Sequence, residues 1–193
     1  MAEADVGSEM PKLAIGDGSM GFWAALEEVY PKTRQQRCWM HKTMNVLNFL
    51  PKSTQAKAKV SLHDIWQAET KADAEKTFDL FIKMYEPKYS KATICLQKDR
   101  DEMLAFYDFP AQHWQIIWTS NLIVSSFGTI RHRTKRSKGR LSRDGMLHMM
   151  FKLRQCAEKK WGLLRGFDYL TKVITGVEFK DGLGVMKVDL VAA

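Results

Sequence analysis

An aspartate flanked by two glycines, Gly16-Asp17-Gly18, stands at the end of a short apolar segment near the start of the sequence. Residues 11–17 predict a buried strand, which places the Asp17 carboxylate at the carboxyl edge of a sheet, where ligands bind. Glycines let a metal ion approach closely, and a hard cation such as Mg²⁺ prefers oxygen ligands. Asp17 is therefore a candidate metal ligand. Taken alone, however, the Asp-Gly pair favours a turn aspartate that caps the following helix.

A second candidate pair, Cys38 and His41, has the C-x-x-H spacing that forms half of a zinc site. A closed structural zinc site needs four ligands, and no CxxC or HxxxH partner occurs in the sequence. The spacing alone therefore favours a structural pairing at a strand–helix junction. The sequence also contains no Ser-His-Asp arrangement, no P-loop and no nucleotide-binding glycine motif.

The positive charge of the chain is concentrated in one segment. Residues 121–165 contain twelve Lys and Arg against two acidic residues, a local net charge of +10, whereas the whole chain carries +8. Clusters of this kind bind the phosphates of nucleic acids, largely through counterion release. The alternatives are a solvated basic loop or a patch for an acidic protein partner. The candidate DNA-binding residues are those in the densest part of the segment: Arg131, Arg133, Lys135, Arg136, Lys138, Arg140 and Arg143.

The length and composition are those of an ordinary folded protein. The 193 residues, 45% hydrophobic and 27% charged, suit one or at most two domains with a sizeable core. No apolar run is long enough for a transmembrane helix, and the acidic N-terminus lacks the apolar region of a secretory signal. Three widely spaced cysteines imply no disulfide framework, so we expect a cytoplasmic protein without a membrane partner.

The elements that must position the first two candidates alternate between strand and helix. Apolar spacing and proline stops predict a strand at 11–17, a helix at 19–29, a strand at 34–40 and a helix at 41–50. This order is typical of an α/β unit with a right-handed crossover. Asp17 and Cys38 would then lie at neighbouring strand ends.

The middle and end of the chain are predicted to be helical. Ser53 begins one predicted helix, and a capping box at Thr70 and Asp73 begins the next, which Pro87 ends. Further helices are predicted at 90–104, 121–134 and 142–164. The apolar stripes expected to face the core are Val60, Leu62, Ile65 and Trp66 in the first helix, Phe78, Phe81, Ile82 and Tyr85 in the second, and Leu147, Met150, Phe151, Leu153, Ala157, Trp161 and Leu164 in the last.

Two stretches carry specific motifs in a specific order. LAIGDGSMGFWAALEEVYPKTRQQRCWMHKTMNVLNFLPKS and FYDFPAQHWQIIWTSNLIVSSFGTIRHRTKRSKGRLSR both resemble the Mutator family of bacterial insertion-sequence transposases. The resemblance implies an α/β, mostly helical chain that forms the C-terminal portion of a ribonuclease-H-like catalytic fold. It also implies a DDE active site, in which two Asp and one Glu hold two Mg²⁺ (or Mn²⁺) ions for in-line attack on DNA.

The resemblance assigns family positions to the candidates. Asp17 matches the second catalytic Asp and a metal ligand, and Cys38 and His41 match the C-x-x-H signature of the family. Val124 occupies the position of the catalytic Glu, and valine cannot ligate a cation. The first Asp is expected upstream of Pro11, where only ten residues stand. The expectation is therefore a truncated transposase with impaired Mg²⁺ binding and impaired catalysis.

The resemblance extends over residues 11–184, with 1–10 as an unmatched extension, 185–193 as a tail and a helical insertion at about 53–104. The expected function is DNA binding and transposition of an insertion sequence, in a protein that associates with the bacterial nucleoid and can form homo-oligomers. The alternative is a non-enzymatic basic DNA-binding module, or an inhibitory partner of an intact transposase. A third possibility is an unstable fold, because a strand at 13–16 without further neighbours leaves an open edge that favours aggregation or dimerisation.

Overall fold

The computed structural model describes residues 10–136, 138, 142–159 and 161–185. This part of the chain is mostly helical and contains two small sheets. Two short 3₁₀ helices precede α6, at Ala105–Asp108 and Ala111–His113. In chain order the other elements are β1 (Leu13–Gly16), α1 (Met20–Val29), β2 (Arg34–Arg37), α2 (Trp39–Leu47), α3 (Lys52–Trp66), α4 (Lys71–Gln97), α5 (Arg100–Met103), α6 (Trp114–Ile117), α7 (Asn121–Arg136), α8 (Arg143–Glu158), α9 (Phe167–Ile174), β3 (Phe179–Lys180) and β4 (Leu183–Gly184).

The first sheet is the predicted α/β unit. Strands β1 and β2 pair in parallel, with Gly16 opposite Arg37, and α1 connects them. The strand predicted at 34–40 is shorter than expected, because Cys38 already begins α2. Its N–H completes the ladder by donating to Gly16 O (2.8 Å), while its carbonyl accepts the first helical hydrogen bond from Lys42 N (3.0 Å). Helix α2 therefore begins at Trp39 rather than at His41.

Helices α2 to α5 and the first 3₁₀ helix enclose the hydrophobic core. Aromatic rings dominate it, and the rings of Trp39 and Trp66 lie 5.0 Å apart. None of the described helices is both long and apolar enough to cross a membrane. The core residues are Trp39, Val46, Leu50, Ala58, Leu62, Ile65, Trp66, Ala74, Phe78, Phe81, Ile82, Tyr85, Ala92, Leu96, Met103, Leu104, Phe106 and Tyr107.

Helix α3 differs from its prediction at its start and on one face. Ser53 is not its cap, because the helix begins one residue earlier, directly after Pro51, which fixes the backbone for helix entry. Val60 is 62% exposed and does not belong to the buried stripe. Since successive helical residues are rotated by about 100°, Val60 points away from buried Ala58 and Leu62.

Helix α4 begins as predicted and ends later. Asp73 N donates to the Thr70 hydroxyl (3.2 Å), which confirms the cap. Pro87 does not end the helix. Helical structure continues to Gln97 across a kink at Tyr89, whose φ of −135° and ψ of 51° are not helical. Proline lacks the N–H for one helical hydrogen bond and crowds the preceding turn, so the helix bends and then resumes.

Helix α8 is shorter than predicted, and its apolar stripe is not buried. Ser142 caps it as the sequence implies, accepting from Gly145 N (3.1 Å), but the helix ends at Glu158. The helix packs against α7, and none of its residues is fully buried. Leu147 and Phe151 are 54% and 58% exposed, so the prediction that they face the core is wrong. Periodicity identifies an apolar face but not what covers it.

The second sheet is a short antiparallel hairpin of β3 and β4. It is held against the 3₁₀ region by backbone hydrogen bonds from Gly182 N to Tyr107 O (3.2 Å) and from Ala111 N to Gly182 O (3.2 Å). The hairpin thereby joins the end of the described chain to the helical core.

Candidate functional site

Asp17 lies just beyond the end of β1, at the carboxyl edge of the first sheet. Its side chain is exposed, and its Oδ1 accepts a hydrogen bond from Ser19 N (3.1 Å). This contact shapes the turn into α1, which is the turn role that the Asp-Gly pair favours. Gly18, with φ of 95°, supplies the left-handed conformation that the turn requires. Asp17 is thus both a turn residue and the exposed carboxylate at this edge.

The C-x-x-H pair is part of a partly buried side-chain network that we call the thiol junction: Cys38, His41, Thr119 and Ser120. The Cys38 sulfur is fully buried and lies 3.1 Å from His41 Nδ1. It accepts from Ser120 N (3.3 Å) and lies 3.7 Å from the Thr119 hydroxyl oxygen. The Ser120 hydroxyl oxygen in turn lies 3.3 Å from His41 Nδ1. The two side chains of the C-x-x-H pair are therefore in contact where β2 meets α2.

The thiol junction connects the strand that carries Asp17 to the start of α7. The Cys38 N–H donates to Gly16 O, directly before Asp17. On the other side, Trp39 N donates to Trp118 O (2.9 Å), and Ser120 immediately precedes α7. The segment in which the resemblance places the third carboxylate is therefore anchored at the edge of the first sheet.

Hydrogen bonding in the thiol junction favours the ionised sulfur. Burial raises the pKa of the Cys38 thiol, but hydrogen bonds from Ser120 and His41 lower it by more, from its ordinary value of 9.0 to about 6. A thiolate accepts hydrogen bonds strongly, so ionisation tightens the contact between α2 and the start of α7.

A charged cluster lies beneath the turn that contains Asp17. Asp99 Oδ2 contacts Lys42 Nζ at 2.6 Å and Arg37 Nε at 3.0 Å. The Lys42 side chain is 3% exposed and that of Arg37 is 11% exposed. The guanidinium of Arg37 lies directly against Gly18. Two buried cations thus share one carboxylate at the edge of the sheet.

The end of α7 carries a basic face, which we define as Arg131, His132, Lys135 and Arg136. All four side chains are exposed, whereas Ile130 is buried. With a rotation of about 100° per residue, the four project away from Ile130, between roughly 100° and 240° around the helix. Arg131, Lys135 and Arg136 make no ion pair among the described residues.

The other predicted basic residues surround this face or lie outside the description. Arg133 is exposed on the flank of α7, Lys138 is exposed just beyond it, and Arg143 is exposed at the start of α8. Arg140 lies outside the described residues. Val124 lies on the backbone of α7, and its side chain is outside the described part. No group of three or more His, Cys, Asp or Glu side chains that could hold a metal ion occurs where the structure is described.

Sequence reasoning did not find the residues that support the candidates. Ser120 is 82 positions from Cys38, and Asp99 is 57 positions from Lys42. Such contacts follow from the fold and leave no local pattern. The sequence offers one indication of two of these residues, which is their position next to a candidate. Arg37 directly precedes Cys38, and Ser120 directly precedes the helix in which the resemblance places the catalytic Glu.

Comparisons with known proteins agree on one family. Residues 5–160 match the profile described as "Transposase, Mutator family". The chain is 54% identical over 173 residues to the transposase for insertion sequence element IST2 of Acidithiobacillus ferrooxidans, covering 90% of this chain and 58% of that protein. It is 41% identical over 176 residues to the transposase for element IS6120 of Mycolicibacterium smegmatis, covering 91% of this chain and 54% of that protein.

A more distant relative extends the same pattern. The transposase for element IS905 of Lactococcus lactis subsp. lactis is 32% identical over 130 residues, which cover 67% of this chain and 33% of that protein. The chain spans somewhat more than half the length of the first two relatives. Because the family profile covers most of its length, this chain belongs to the Mutator family of transposases.

Proposed function

We propose that this chain takes part in transposition of an insertion sequence by binding DNA through the basic face of α7, and that its own strand-cleaving chemistry is impaired. The observation that carries the DNA-binding proposal is the exposure of Arg131, Lys135 and Arg136 on one side of a helix, without acidic partners among the described residues. Cationic side chains free of internal ion pairs can replace the counterions of a phosphate backbone.

The position of the basic face supports its connection to the candidate active site. Helix α7 begins at the thiol junction, which holds it to the end of β1. Its basic side chains come four turns later, since a rise of 1.5 Å per residue places Lys135 roughly 20 Å along the helix from Asn121. Helix α7 thus connects the edge of the first sheet, next to Asp17, to the proposed DNA-binding residues.

The test of DNA binding is a salt titration with a paired variant. Lys135→Gln with Arg136→Gln should weaken binding to every duplex and reduce the slope of log affinity against log salt by about 2, one unit for each lost phosphate contact. The control is Lys57→Gln with Lys59→Gln, which removes two exposed lysines from α3. The proposal fails if both double variants lose the same affinity, because binding would then depend on overall charge alone.

Family membership implies a divalent metal cofactor in general. The described residues do not fit a two-metal site, because Asp17 is a single carboxylate whose Oδ1 already accepts from Ser19 N. Val124 adds no ligand at the position where the resemblance expects Glu. Impaired catalysis is proposed from these residue types, since clustered carboxylates hold the ions in this chemistry.

The impairment is tested by restoring the missing carboxylate. Val124→Glu should increase Mn²⁺ binding, measured by paramagnetic broadening of the Gly18 amide resonance, and should raise Mg²⁺-dependent nicking of element-end DNA. Asp17→Asn in the same background should abolish both gains. Asp17-dependent strand transfer by the unaltered chain would contradict the proposed impairment.

A second candidate function is a DNA-binding partner that inhibits an intact transposase. The observation that favours it is the turn role of Asp17, which needs no metal and leaves the basic face intact. Added to a full-length relative, this chain should then lower strand transfer, and Lys135→Gln with Arg136→Gln should relieve the inhibition. An unchanged rate at excess chain would exclude this role.

A further inference from the structure

The cluster of Arg37, Lys42 and Asp99 is larger than an isolated ion pair. Asp99 precedes α5, Lys42 belongs to α2 and Arg37 ends β2, so three elements meet at one carboxylate. Lys42 and Asp99 are already paired at 2.6 Å. The second cation therefore leaves these three side chains with a net positive charge beneath the edge of the sheet, and burial makes an uncompensated charge unfavourable.

Arg37 makes a contact that Lys42 does not make. Its guanidinium occupies the space next to Gly18 where a side chain would begin, so that any Cβ at this position would overlap Nη1, Cζ and Nη2. The turn between β1 and α1 thus rests on a flat cationic group. Because Gly18 is flanked by Asp17 and Ser19, this group supports both partners of the Ser19 N to Asp17 Oδ1 hydrogen bond.

We propose that Arg37 is a positioning residue that fixes the direction of the Asp17 carboxylate. Asp99 attracts the guanidinium from its Nε side (3.0 Å), the guanidinium supports Gly18, and the turn geometry then sets where Asp17 points. The inference deepens the proposed function, because it concerns the carboxylate that the family resemblance assigns to the active site. If Arg37 served stability alone, it would act only as a charge partner of Asp99. Its substitution would then have no specific effect on the turn between β1 and α1.

The test reads the turn directly by NMR. In Arg37→Gln, the Lys42–Asp99 pair remains, so no buried carboxylate is left without a cation and the helical core is expected to fold. We expect exchange of the Ser19 amide proton with water to accelerate about threefold or more, as its hydrogen bond loosens, while the Leu62 and Ile65 amides of α3 stay unchanged.

The matched control is Arg34→Gln, on the same strand. Arg34 is ion-paired with Asp108 at 3.4 Å and its side chain is 43% exposed, whereas the atoms nearest to the Cβ position of Gly18 belong to Arg37. Its removal should leave Ser19 exchange unaltered. Arg37→Lys keeps the positive charge and loses the flat group, so it should give a smaller acceleration than Arg37→Gln.

The outcomes separate this inference from the proposed function. An unchanged Ser19 exchange rate in folded Arg37→Gln would overturn the positioning role. If that variant does not fold, Arg37→Lys decides in the same way, with acceleration supporting the role and an unchanged rate overturning it. The measurements of DNA binding and of Mn²⁺ binding test the proposed function instead. Their failure would leave the result for Ser19 amide exchange unchanged.

Discussion

When the chain folds, the Cys38 thiol leaves water and gains hydrogen bonds from Ser120 and contact with His41. Its pKa falls from 9.0 in the unfolded chain to about 6 in the folded chain. Between pH 6 and pH 9 the thiol is therefore more protonated in the unfolded state than in the folded state. The contribution of Cys38 to the free energy of unfolding is therefore fully present above about pH 9, and it is lost as the pH falls through about 6.

This sign gives a prediction for the pH dependence of unfolding. Between pH 6 and pH 9 the free energy of unfolding should rise by about 2–4 kcal/mol more in the unaltered chain than in Cys38→Ser, whose hydroxyl does not ionise. Urea unfolding at both pH values under reducing conditions measures the difference. Parallel pH profiles would show that the folded thiol does not ionise in this range.

Gly16 gives a second prediction at the same scale. A Cβ at this position would lie 2.6 Å from the Trp23 ring, so Gly16→Ala should destabilise the chain by about 1–3 kcal/mol. Gly21→Ala is the control, because a Cβ there would meet no atom within 4 Å apart from its chain neighbours and the adjacent backbone of its own helix, and alanine favours the helix. It should stabilise the chain by about 0.5–1 kcal/mol. Thermal unfolding of both variants would refute the packing argument if they shifted in the same direction.

Local chemistry made some residues of the site predictable. Asp17 follows a strand and precedes a glycine with a positive φ, and both features are visible as an Asp-Gly turn. The pairing of Cys38 with His41 follows from a spacing of three at the start of a helix. The contact between Arg37 and Asp99 could not be predicted, because an ion pair between distant segments leaves no repeating pattern in the sequence.

Among the elements, α3 and α4 form the principal helix pair of the core. Their contact depends on the apolar stripe of α4, which the sequence predicts because its members recur every three or four residues. Phe78 is fully buried in this stripe, and the Arg100 guanidinium carbon lies 4.8 Å from its ring centre. The outer face of the same helix carries Leu80, which is 62% exposed.

These two positions predict opposite consequences of the same kind of truncation. Phe78→Ala should destabilise the chain by about 3–5 kcal/mol, because it removes a large buried ring and leaves a cavity. Leu80→Ala should change stability by less than about 0.5 kcal/mol. Denaturant unfolding of both variants measures the difference, and a similar loss at Leu80 would mean that the outer face of α4 is covered in solution.

Helix boundaries were less predictable than helix faces. Pro87 is a strong stop signal, yet α4 continues beyond it, because the surrounding core holds both halves of the kinked helix. Buried Ala92 and Leu96 belong to the second half. The apolar stripe of α8 shows the reverse case, in which a correct periodicity led to a wrong expectation of burial.

Across the described part of the molecule, large apolar side chains are exposed on several helices, including α1 and α8. Helix α1 contains no buried residue, and Met20 is 80% exposed. Helix α8 exposes Phe151 in the same way. Extended apolar patches favour association, so we expect the chain to self-associate as its concentration rises.

The prediction is checked by sedimentation velocity over a range of concentrations. Phe151→Glu should weaken the concentration dependence, because it removes exposed apolar area and adds charge. Lys152→Gln is the control, since it changes the net charge by the same single unit and removes no aromatic surface. Equal effects of the two variants would attribute association to charge rather than to the apolar face of α8.

The long separation between Cys38 and Ser120 has a consequence for how the chain folds. Their contact closes a loop of about eighty residues, which lowers the conformational entropy of the chain. This entropic cost is smaller once the intervening helices have packed together and brought the two ends close. We therefore expect assembly of the sheet edge to follow collapse of the helices, so a mutation that slows this collapse should also delay the contact between Cys38 and Ser120. We expect the same order of events in variants whose carboxylates differ, because loop closure depends on the length and packing of the intervening helices and not on the carboxylates.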